Sequence, residues 1–266
     1  MIKLIVSDID GTLIPYLRHE LPEALFPLIR RLREAGILFC PASGRQYHSL
    51  RRLFAPVADE VCFLCANGAV IYGPGREDSA PVLAKTVIPH EDALALAHAI
   101  MELPDCEVLI DGANVSYICA ASAALARDLT ERLGSLVRTV GHVEQIGEDI
   151  VKISAFCPNG PAGAEKALGP RFGETYHMAV AGPTWLDFTL ADKGAGLRQL
   201  ACALGLTLSE AAAFGDNWND LPMLALAGSA WVMDSAPEEM LERFPNHTSD
   251  VLKELERILS IQASRV

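Results

Sequence analysis

The 266-residue chain has few basic residues for its size and few aromatic ones. It carries 22 Lys and Arg against 34 Asp and Glu, which gives a net charge of −12 and a sequence pI near 5.0. This acidic balance argues against nucleic acid or an anionic membrane as the main partner, because both attract basic surfaces. A small phosphate ester is still compatible with it, since a local site can be basic or filled by a metal ion.

The sequence also lacks the features of an exported or membrane-spanning chain. No stretch reaches the roughly 18 uninterrupted apolar residues of a membrane helix. The first residues, MIKLIVSDIDGTLI, do not show the basic, apolar and small-residue regions of a signal peptide in order. Because hydrophobic residues make up 50% of the chain and charged residues 21%, a disordered chain is excluded. We expect a soluble cytoplasmic protein, monomeric or weakly dimeric, with one large domain or two smaller ones.

Paired cysteines are scarce. The chain has seven Cys, an odd number, and most lie in apolar runs. Cys62 and Cys65 have C-x-x-C spacing, but no second pair follows them and both lie within a strand-like run. We therefore expect buried thiols rather than a zinc or redox site.

Short apolar runs alternate with amphipathic stretches at both ends of the chain. KLIVSD and ILFCPA have the pattern of buried parallel strands, and residues 21–36 between them have apolar side chains at helical spacing. The strand-like runs AAAFGD and SAWVMD, each near a predicted helix, repeat this pattern towards the C-terminus. Such an order predicts an α/β fold with a doubly wound, parallel, Rossmann-like sheet.

The middle of the chain follows a different order. Residues 84–186 show a helix and two strands, the same again, and then a short helix with two more strands. This pattern predicts an antiparallel sheet with helices on one face, as in an α+β module. We therefore expect a core formed by residues 1–83 and 187–266, with an inserted domain over residues 84–186.

Four groups of polar residues follow predicted strands or begin a helix of the parallel domain. Ligands bind at the carboxyl edge of open α/β sheets, where the ends of these strands would meet. The four groups are Asp8 with Asp10, Ser43-Gly44-Arg45, Lys193, and Asp216 with Asn219 and Asp220.

The chemistry of these groups suits a phosphate and a cation. Clustered carboxylates such as Asp8 and Asp10 repel each other and need a shared proton or a divalent ion, and Mg²⁺ prefers oxygen ligands. A hydroxyl, a bare backbone N–H and a guanidinium, as at Ser43-Gly44-Arg45, suit a phosphate. Each group alone also fits an ordinary turn, a capped loop, a surface lysine or a helix cap.

Taken together and in this order, the four groups resemble the four motifs of the haloacid dehalogenase-like (HAD) superfamily. The resemblance covers the whole parallel domain. The inserted segment lies between the second and third motifs, and its strand-rich pattern resembles the type IIB cap of Cof-type phosphatases. Asn67-Gly68-Ala69 also resembles the turn that precedes the cap in that subfamily.

The resemblance implies a Mg²⁺-dependent phosphatase of a small phosphorylated metabolite. Asp8 would be the nucleophile that forms an aspartyl-phosphate, and Asp10 would act as the general acid and base. Asp8, Asp10 through its backbone carbonyl, and Asp216 would hold Mg²⁺. The phosphoryl oxygens would be bound by Ser43, Gly44, Arg45, Lys193 and Asn219, and Asp220 would orient Lys193 or a metal-bound water.

Two alternatives use similar residues. A phosphotransferase or phosphomutase acting on sugar phosphates would share the Asp8 and Asp10 pair. A non-enzymatic, phosphorylatable receiver would share the acidic cluster and the lysine, although it would need neither Asp10 nor an inserted domain.

The inserted domain would select the substrate, and stretches 80–85 and 187–193 would carry its motion. Trp218 of the fourth motif is expected to pack beneath the site rather than to face the substrate. The polar or aromatic candidates for substrate contact in the inserted domain are Asp111, Asn114, Tyr117, Lys152, His177 and Trp185.

Overall fold

The computed structural model describes residues 1–15, 20–119 and 123–264 and contains two β-sheets. The strands are β1 (Leu4–Asp8), β2 (Leu38–Ala42), β3 (Phe63–Cys65), β4 (Val70–Tyr72), β5 (Val82–Lys85), β6 (Glu107–Asp111), β7 (Ser116–Cys119), β8 (Val137–Val140), β9 (Lys152–Phe156), β10 (His177–Val180), β11 (Trp185–Thr189), β12 (Ala211–Gly215), β13 (Ser229–Met233) and β14 (His247–Thr248). The α-helices are α1 (Leu25–Glu34), α2 (Tyr47–Leu53), α3 (His90–Met101), α4 (Ala123–Arg127), α5 (Ala162–Phe172), α6 (Lys193–Ala203), α7 (Leu221–Leu226), α8 (Glu238–Leu241) and α9 (Val251–Ala263).

The larger sheet has the order β14-β13-β12-β1-β2-β3-β4-β5 and is parallel from β14 to β3. Side chains alternate between its faces: Ile5 and Phe39 pack with α1 and α9, whereas Leu4 and Val6 pack with α6 and α7. Both faces of β1 are buried, which explains why its sequence is a continuous apolar run. The predicted doubly wound, Rossmann-like core is confirmed.

The smaller sheet has the order β10-β11-β9-β6-β7-β8. Its strand pairs are antiparallel except β7 with β8, so the prediction of a purely antiparallel sheet was wrong at that edge. Helix α4 and a π-helical segment, Asp128–Arg132, lie between β7 and β8 in the chain, and β8 pairs in the direction of β7. A parallel pair requires a crossover of this kind.

Helices cover parts of both faces of the smaller sheet, although we predicted helices on one face. Residues of α3 and α5 pack against Ile110, Ile153 and Phe188. On the opposite face, Leu125 of α4 and Leu129 just after it pack with an apolar group that includes Leu109, Ile118, Phe156 and Trp185. This second face also carries polar residues, and those point towards the larger sheet.

The chain passes between the sheets at two places. The outward passage lies between β5 and α3, and the return lies between β11 and α6. The predicted boundaries at 83/84 and 186/187 fall inside β5 and β11, a few residues before the chain changes sheets. The stretches predicted to carry domain motion therefore include strand residues that are paired within a sheet.

Gly68 lies where the loop after β3 meets the start of α6. Its φ is +98°, and a Cβ there would lie 2.3 Å from the carbonyl oxygen of Asp192. We expect Gly68→Ala to lower the free energy of unfolding by at least about 1–3 kcal/mol, because backbone strain and a backbone clash add. Chemical denaturation measures this change. Gly147→Ala is the matched control, since nothing lies within 4 Å of a Cβ at Gly147. Equal stability of the two variants would contradict the expected strain.

No helix among the described residues is long and apolar enough to cross a membrane.

Candidate active site

The predicted motifs meet at the carboxyl edge of the larger sheet. Asp8 ends β1, the Ser43 loop follows β2, Asp216 follows β12, and Lys193 begins α6. A cavity of about 330 Å³ opens between this edge and the polar face of the smaller sheet. The predicted site residues that line it are Asp8, Asp10, Ser43, Gly44, Arg45, Asp216 and Asn219.

A buried acidic cluster lies at the floor of the cavity, where Asp8 and Asp216 line it and Asp220 lies behind them. Carboxylate oxygens of Asp8, Asp216 and Asp220 lie within 4.8 Å of one another, and all three side chains are buried. The buried ammonium of Lys193 contacts Asp8 Oδ1 and lies 2.5 Å from Asp220 Oδ1. Lys193 thus pairs with two of the three carboxylates of the cluster.

The pKa values of Asp8 and Lys193 are both raised, for different reasons. Burial raises the pKa of Asp8 well above its ordinary value, and the charges of Asp220 and Asp216 raise it further against the opposing effect of Lys193. Burial acts to lower the pKa of Lys193, but Asp220 and Asp8 outweigh it and the pKa is raised. The lysine is therefore held as a cation, and a positive charge beside Asp8 would favour the ionised form of its carboxyl.

Hydrogen bonds fix the acidic loop after β12. Thr12 Oγ1 donates to Asp216 Oδ1 at 2.9 Å, which ties the first and fourth motifs together. Asp220 Oδ2 accepts from the backbone N–H groups of Asp216 and Asn217 at 3.0 and 3.1 Å. The carboxylate of Asp220 thus holds both the loop and Lys193.

The donor set fits a hard divalent cation. The cluster offers carboxylate oxygens without histidine or cysteine, which is the preference of Mg²⁺ rather than Zn²⁺. The side chain of Asp10 does not belong to the cluster: it is half exposed, and its carboxylate accepts from Arg45 Nη2 at 2.9 and 3.2 Å. Asp220 occupies the third position of the cluster instead.

The loop after β2 is held by its backbone. Ser43 donates its N–H to the carbonyl of Leu64 at 3.0 Å, and its own carbonyl accepts from Asn67 N–H at 3.0 Å. Arg45 N–H donates to Ser43 Oγ at 3.3 Å. These bonds anchor the Ser43 loop to β3 and to the turn that follows it.

The smaller sheet contributes a buried ionic group to the opposite wall. Lys152 Nζ lies 3.0 Å from Asp111 Oδ2 and 3.6 Å from Asp187 Oδ2, and it donates to the Gly44 carbonyl at 2.8 Å. Of the six candidates that we predicted in the inserted domain, Asp111, Lys152 and Trp185 line the cavity. The other three do not: Asn114 accepts from His48 N–H, Tyr117 donates to Glu148, and His177 is exposed at the sheet edge.

The sequence interpretation missed several lining residues. Asp187 is the most informative, because it was assigned to a hinge although it lies inside β11. In that strand Leu186 and Phe188 pack with the helices, so alternation places Asp187 on the cavity face, a signal that the segment TWLDFTL already contains. Asn67, Gln46 and Ser116 also line the cavity.

Trp218 does not pack beneath the site, so that expectation was wrong. Its side chain is 44% exposed, and the guanidinium of Arg243 lies 5.5 Å from its ring centroid. The backbone of the loop is held at this point, because Asn217 N–H donates to Asp220 and Trp218 N–H donates to the side chain of Asn217.

Cys65 is the last residue of β3 and Cys62 directly precedes the strand. Both are buried, as expected for core thiols. Burial raises the pKa of Cys62 to about 12 and that of Cys65 well above its ordinary value. Neither thiol is therefore suited to redox chemistry at neutral pH.

Comparison with known proteins agrees with this architecture. A family model described as haloacid dehalogenase-like hydrolase matches residues 5–253. The Escherichia coli protein named 5-amino-6-(5-phospho-D-ribitylamino)uracil phosphatase YbjI is 26% identical over 275 residues, which covers 98% of each chain. The HMP-PP phosphatase of Cronobacter sakazakii is 29% identical over 257 residues, covering 92% of this chain and 89% of that protein.

Solved structures share the fold over nearly the full length. TM0651 from Thermotoga maritima has a TM-score of 0.80 and 25% identity and covers 97% of each chain. The HAD subclass IIB sugar phosphatase BT4131 also has a TM-score of 0.80, with 20% identity and coverage of 96% and 98%.

The chain belongs to the haloacid dehalogenase-like hydrolase family, because the family model spans most of its length. Within that family it is a Cof-type phosphatase, and the HAD subclass IIB sugar phosphatase BT4131 shares its fold. We call the smaller sheet with its helices the cap.

Proposed function

We propose that this protein hydrolyses a small phosphomonoester, such as a sugar phosphate, through an aspartyl-phosphate on Asp8, with Mg²⁺ as its cofactor. The observation that carries the proposal is the position of Asp8. Its carboxylate reaches the cavity at the end of β1 and is held from behind by Lys193, beside Asp216 and Asp220.

The reaction would have two steps. In the first, a carboxylate oxygen of Asp8 attacks phosphorus, the bond from phosphorus to the ester oxygen breaks, and Asp10 gives its proton to the leaving oxygen. In the second, Asp10 takes a proton from water, the water oxygen attacks phosphorus, and the bond to Asp8 breaks to release phosphate. Covalent catalysis of this kind replaces one difficult displacement by two easier ones.

Charge and position explain the roles of the remaining residues. Phosphoryl transfer depends on placing the reacting groups in line and on neutralising the phosphoryl oxygens. Ser43, Gly44, Arg45 and Asn219 line the cavity near Asp8 and would bind those oxygens, while the Lys193 ammonium supplies positive charge. Asp8, Asp216 and Asp220 would hold Mg²⁺, with the Asp10 carbonyl as a further ligand, and the bound ion would neutralise charge on the phosphoryl group.

The half-exposed Asp10 suits a group that exchanges protons with the substrate and with water. Its carboxylate lies at the cavity and is held by the guanidinium of Arg45. An incoming phosphate would compete for that guanidinium, because Arg binds phosphate and carboxylate oxygens with the same donors. Arg45 would then pass from Asp10 to the phosphoryl group as the substrate binds.

A panel of phosphate esters tests the proposed activity and narrows the substrate. Sugar phosphates, nucleotides, FMN and pyridoxal phosphate belong in it, together with the two compounds named for the relatives, 5-amino-6-(5-phospho-D-ribitylamino)uracil and HMP-PP. We expect Mg²⁺-dependent release of inorganic phosphate from at least one ester, measured in parallel with Asp8→Asn to exclude contaminating phosphatases. Transfer of the phosphoryl group between sugar hydroxyls without release would indicate a mutase, and no release from any ester would contradict the proposal.

A further inference from the structure

A buried lysine of the cap lies at the boundary between the two sheets. The side chain of Lys152 is 8% exposed, and the carboxylates of Asp111 and Asp187, which face it, are 4% and 5% exposed. Burying an ammonium is costly unless it is paired and hydrogen-bonded. Burial acts to lower the pKa of Lys152, but the charges of Asp187 and Asp111 outweigh this effect and the pKa is raised. The catalytic steps proposed above make no use of this group.

The ammonium of Lys152 is occupied by protein acceptors. Asp111 Oδ2 and the Gly44 carbonyl lie within hydrogen-bonding distance, at 3.0 and 2.8 Å, and Asp187 Oδ2 lies at 3.6 Å. A lysine has three N–H donors, and three acceptors already surround this one. Lys152 is therefore poorly placed to bind a substrate directly, although it belongs to the cavity wall.

The contact with Gly44 reaches the phosphate-binding loop. The Gly44 carbonyl and the Arg45 N–H belong to one planar peptide unit, so fixing the carbonyl also fixes the N–H. Arg45 N–H donates to Ser43 Oγ at 3.3 Å. A continuous path thus runs from the cap ammonium through one peptide unit to the hydroxyl of Ser43.

A second contact between cap and core supports the same loop. Asp187 Oδ2 accepts from Asn67 Nδ2 at 3.2 Å, and Asn67 N–H donates to the Ser43 carbonyl at 3.0 Å. A Cβ at Gly44 would lie 3.2 to 3.3 Å from the Asn67 amide and from Asp187. Because Gly44 has no side chain, the carboxylate of Asp187 and the side-chain amide of Asn67 can both lie close to the loop.

We propose that Lys152, held between Asp111 and Asp187, is a positioning residue that couples the seated cap to the order of the Ser43–Arg45 loop. The inference rests on the proposed function in one respect, namely that this loop binds the phosphoryl group. When the cap is seated, Lys152 and Asp187 hold the Gly44 peptide and the Ser43 hydroxyl in place for phosphate. When the cap lifts, the loop loses these contacts and binds phosphate less tightly.

The proposal differs in its consequences from a role in substrate selection. Replacing a residue that contacts the leaving group should lower kcat/KM for some esters more than for others. It should not change the binding of inorganic phosphate, which has no leaving group. Replacing a residue that positions the phosphate loop should weaken the binding of inorganic phosphate itself. It should also lower kcat/KM by the same factor for every ester.

The test is calorimetric titration of the full-length protein with inorganic phosphate in the presence of Mg²⁺. Lys152→Met keeps the length of the side chain and removes the ammonium. We expect its Kd for phosphate to rise about tenfold, the scale of losing a hydrogen bond from a charged group. The factor lost in kcat/KM should be equal for an aryl phosphate and for the best ester of the panel.

Two further variants keep the test decisive. Removal of Lys152 alone leaves two buried carboxylates unpaired, which can unfold the cap. The triple variant D111N/K152M/D187N removes all three charges together and should show the same loss of phosphate affinity. Tyr72→Phe is the matched control, because it deletes another hydrogen bond between the sheets, from Tyr72 to the Ala113 carbonyl, at nearly constant volume. Its affinity for phosphate should stay within about twofold of the wild type.

Unchanged phosphate affinity in folded Lys152→Met or in the triple variant would overturn the coupling. Losses confined to particular esters would do the same and would assign Lys152 to substrate selection. Because phosphate binding is measured without turnover, the result remains readable if the wild type hydrolyses no ester. A wild type that hydrolyses no ester would refute the proposed phosphatase reaction. The phosphate titrations would still test whether Lys152 couples the cap to the loop.

Discussion

Replacing Asp8 with asparagine is expected to abolish phosphate release from every substrate. The amide has nearly the same shape as the carboxylate, but it cannot form an acyl-phosphate. Asp10→Asn should leave residual activity, with a loss of ~10²–10⁴-fold, as is typical for removal of a general acid and base. The loss should be largest for alkyl phosphates, whose leaving groups need the proton most. Initial rates of phosphate release with saturating Mg²⁺ measure both effects.

The control for the Asp8 variant is Asp78→Asn, which neutralises an exposed carboxylate outside the cavity. It should keep wild-type turnover. The Asp8 variant should also keep its folded state, since it removes one of three crowded carboxylates and relieves repulsion. Turnover by folded Asp8→Asn near the wild-type rate would contradict the assignment of the nucleophile.

Removing divalent cations with EDTA should stop turnover, and adding Mg²⁺ should restore it. The physical reason is the crowding of three buried carboxylates, two of which share the ammonium of Lys193. An incoming phosphate adds further negative charge that Lys193 alone cannot neutralise. Full activity in EDTA would contradict the metal assignment.

Thermal unfolding gives a second readout of the metal that does not depend on activity. An ion that binds only the folded state raises the midpoint of unfolding as its concentration rises. We expect Mg²⁺ to raise the midpoint of the wild-type protein and to have a much smaller effect on Asp216→Asn, which lacks one of the three carboxylates. Equal shifts for both proteins would place the ion elsewhere.

The positions of the residues at the floor of the candidate site could be predicted because they depend on a simple rule of topology. Asp8 ends a parallel strand, Ser43 and Asp216 each follow one, and such strands end at the same edge of the sheet. The apolar runs that mark those strands are easily recognised, since both faces of the sheet are covered. Lys193 could be placed at a helix start, and the structure puts it there.

The cap wall was harder to predict because its residues meet through strand register. Asp111 lies opposite Lys152 in one strand pair, and Asp187 lies opposite Ser154 in another. Nothing in a single sequence states which strands are neighbours or how they align. The ionic group therefore could not be recognised as a unit, even though two of its three members were among the cap candidates.

The wrong predictions share a physical cause. The local pattern of apolar and polar residues does not determine where a side chain lies in the folded protein. Trp218 is apolar and suggested packing, yet the fixed loop around it directs the ring to solvent over Arg243. The segment that contains α4 was expected on the same face of the smaller sheet as α3 and α5. Instead, Leu125 and Leu129 pack beside Trp185 on the opposite face. Helical periodicity shows that a helix has an apolar side, not which face of a sheet that side covers.

The most direct test of the account is to look for the covalent intermediate on Asp8. The wild-type protein would be mixed with Mg²⁺ and its best ester, quenched in acid within the first turnover, digested, and examined by mass spectrometry. We predict one phosphoryl group on the peptide that contains Asp8, and none in Asp8→Asn treated in the same way. A phosphoryl group on any other residue, or a full first turnover of released phosphate without a phosphorylated protein at any quench time, would contradict the account.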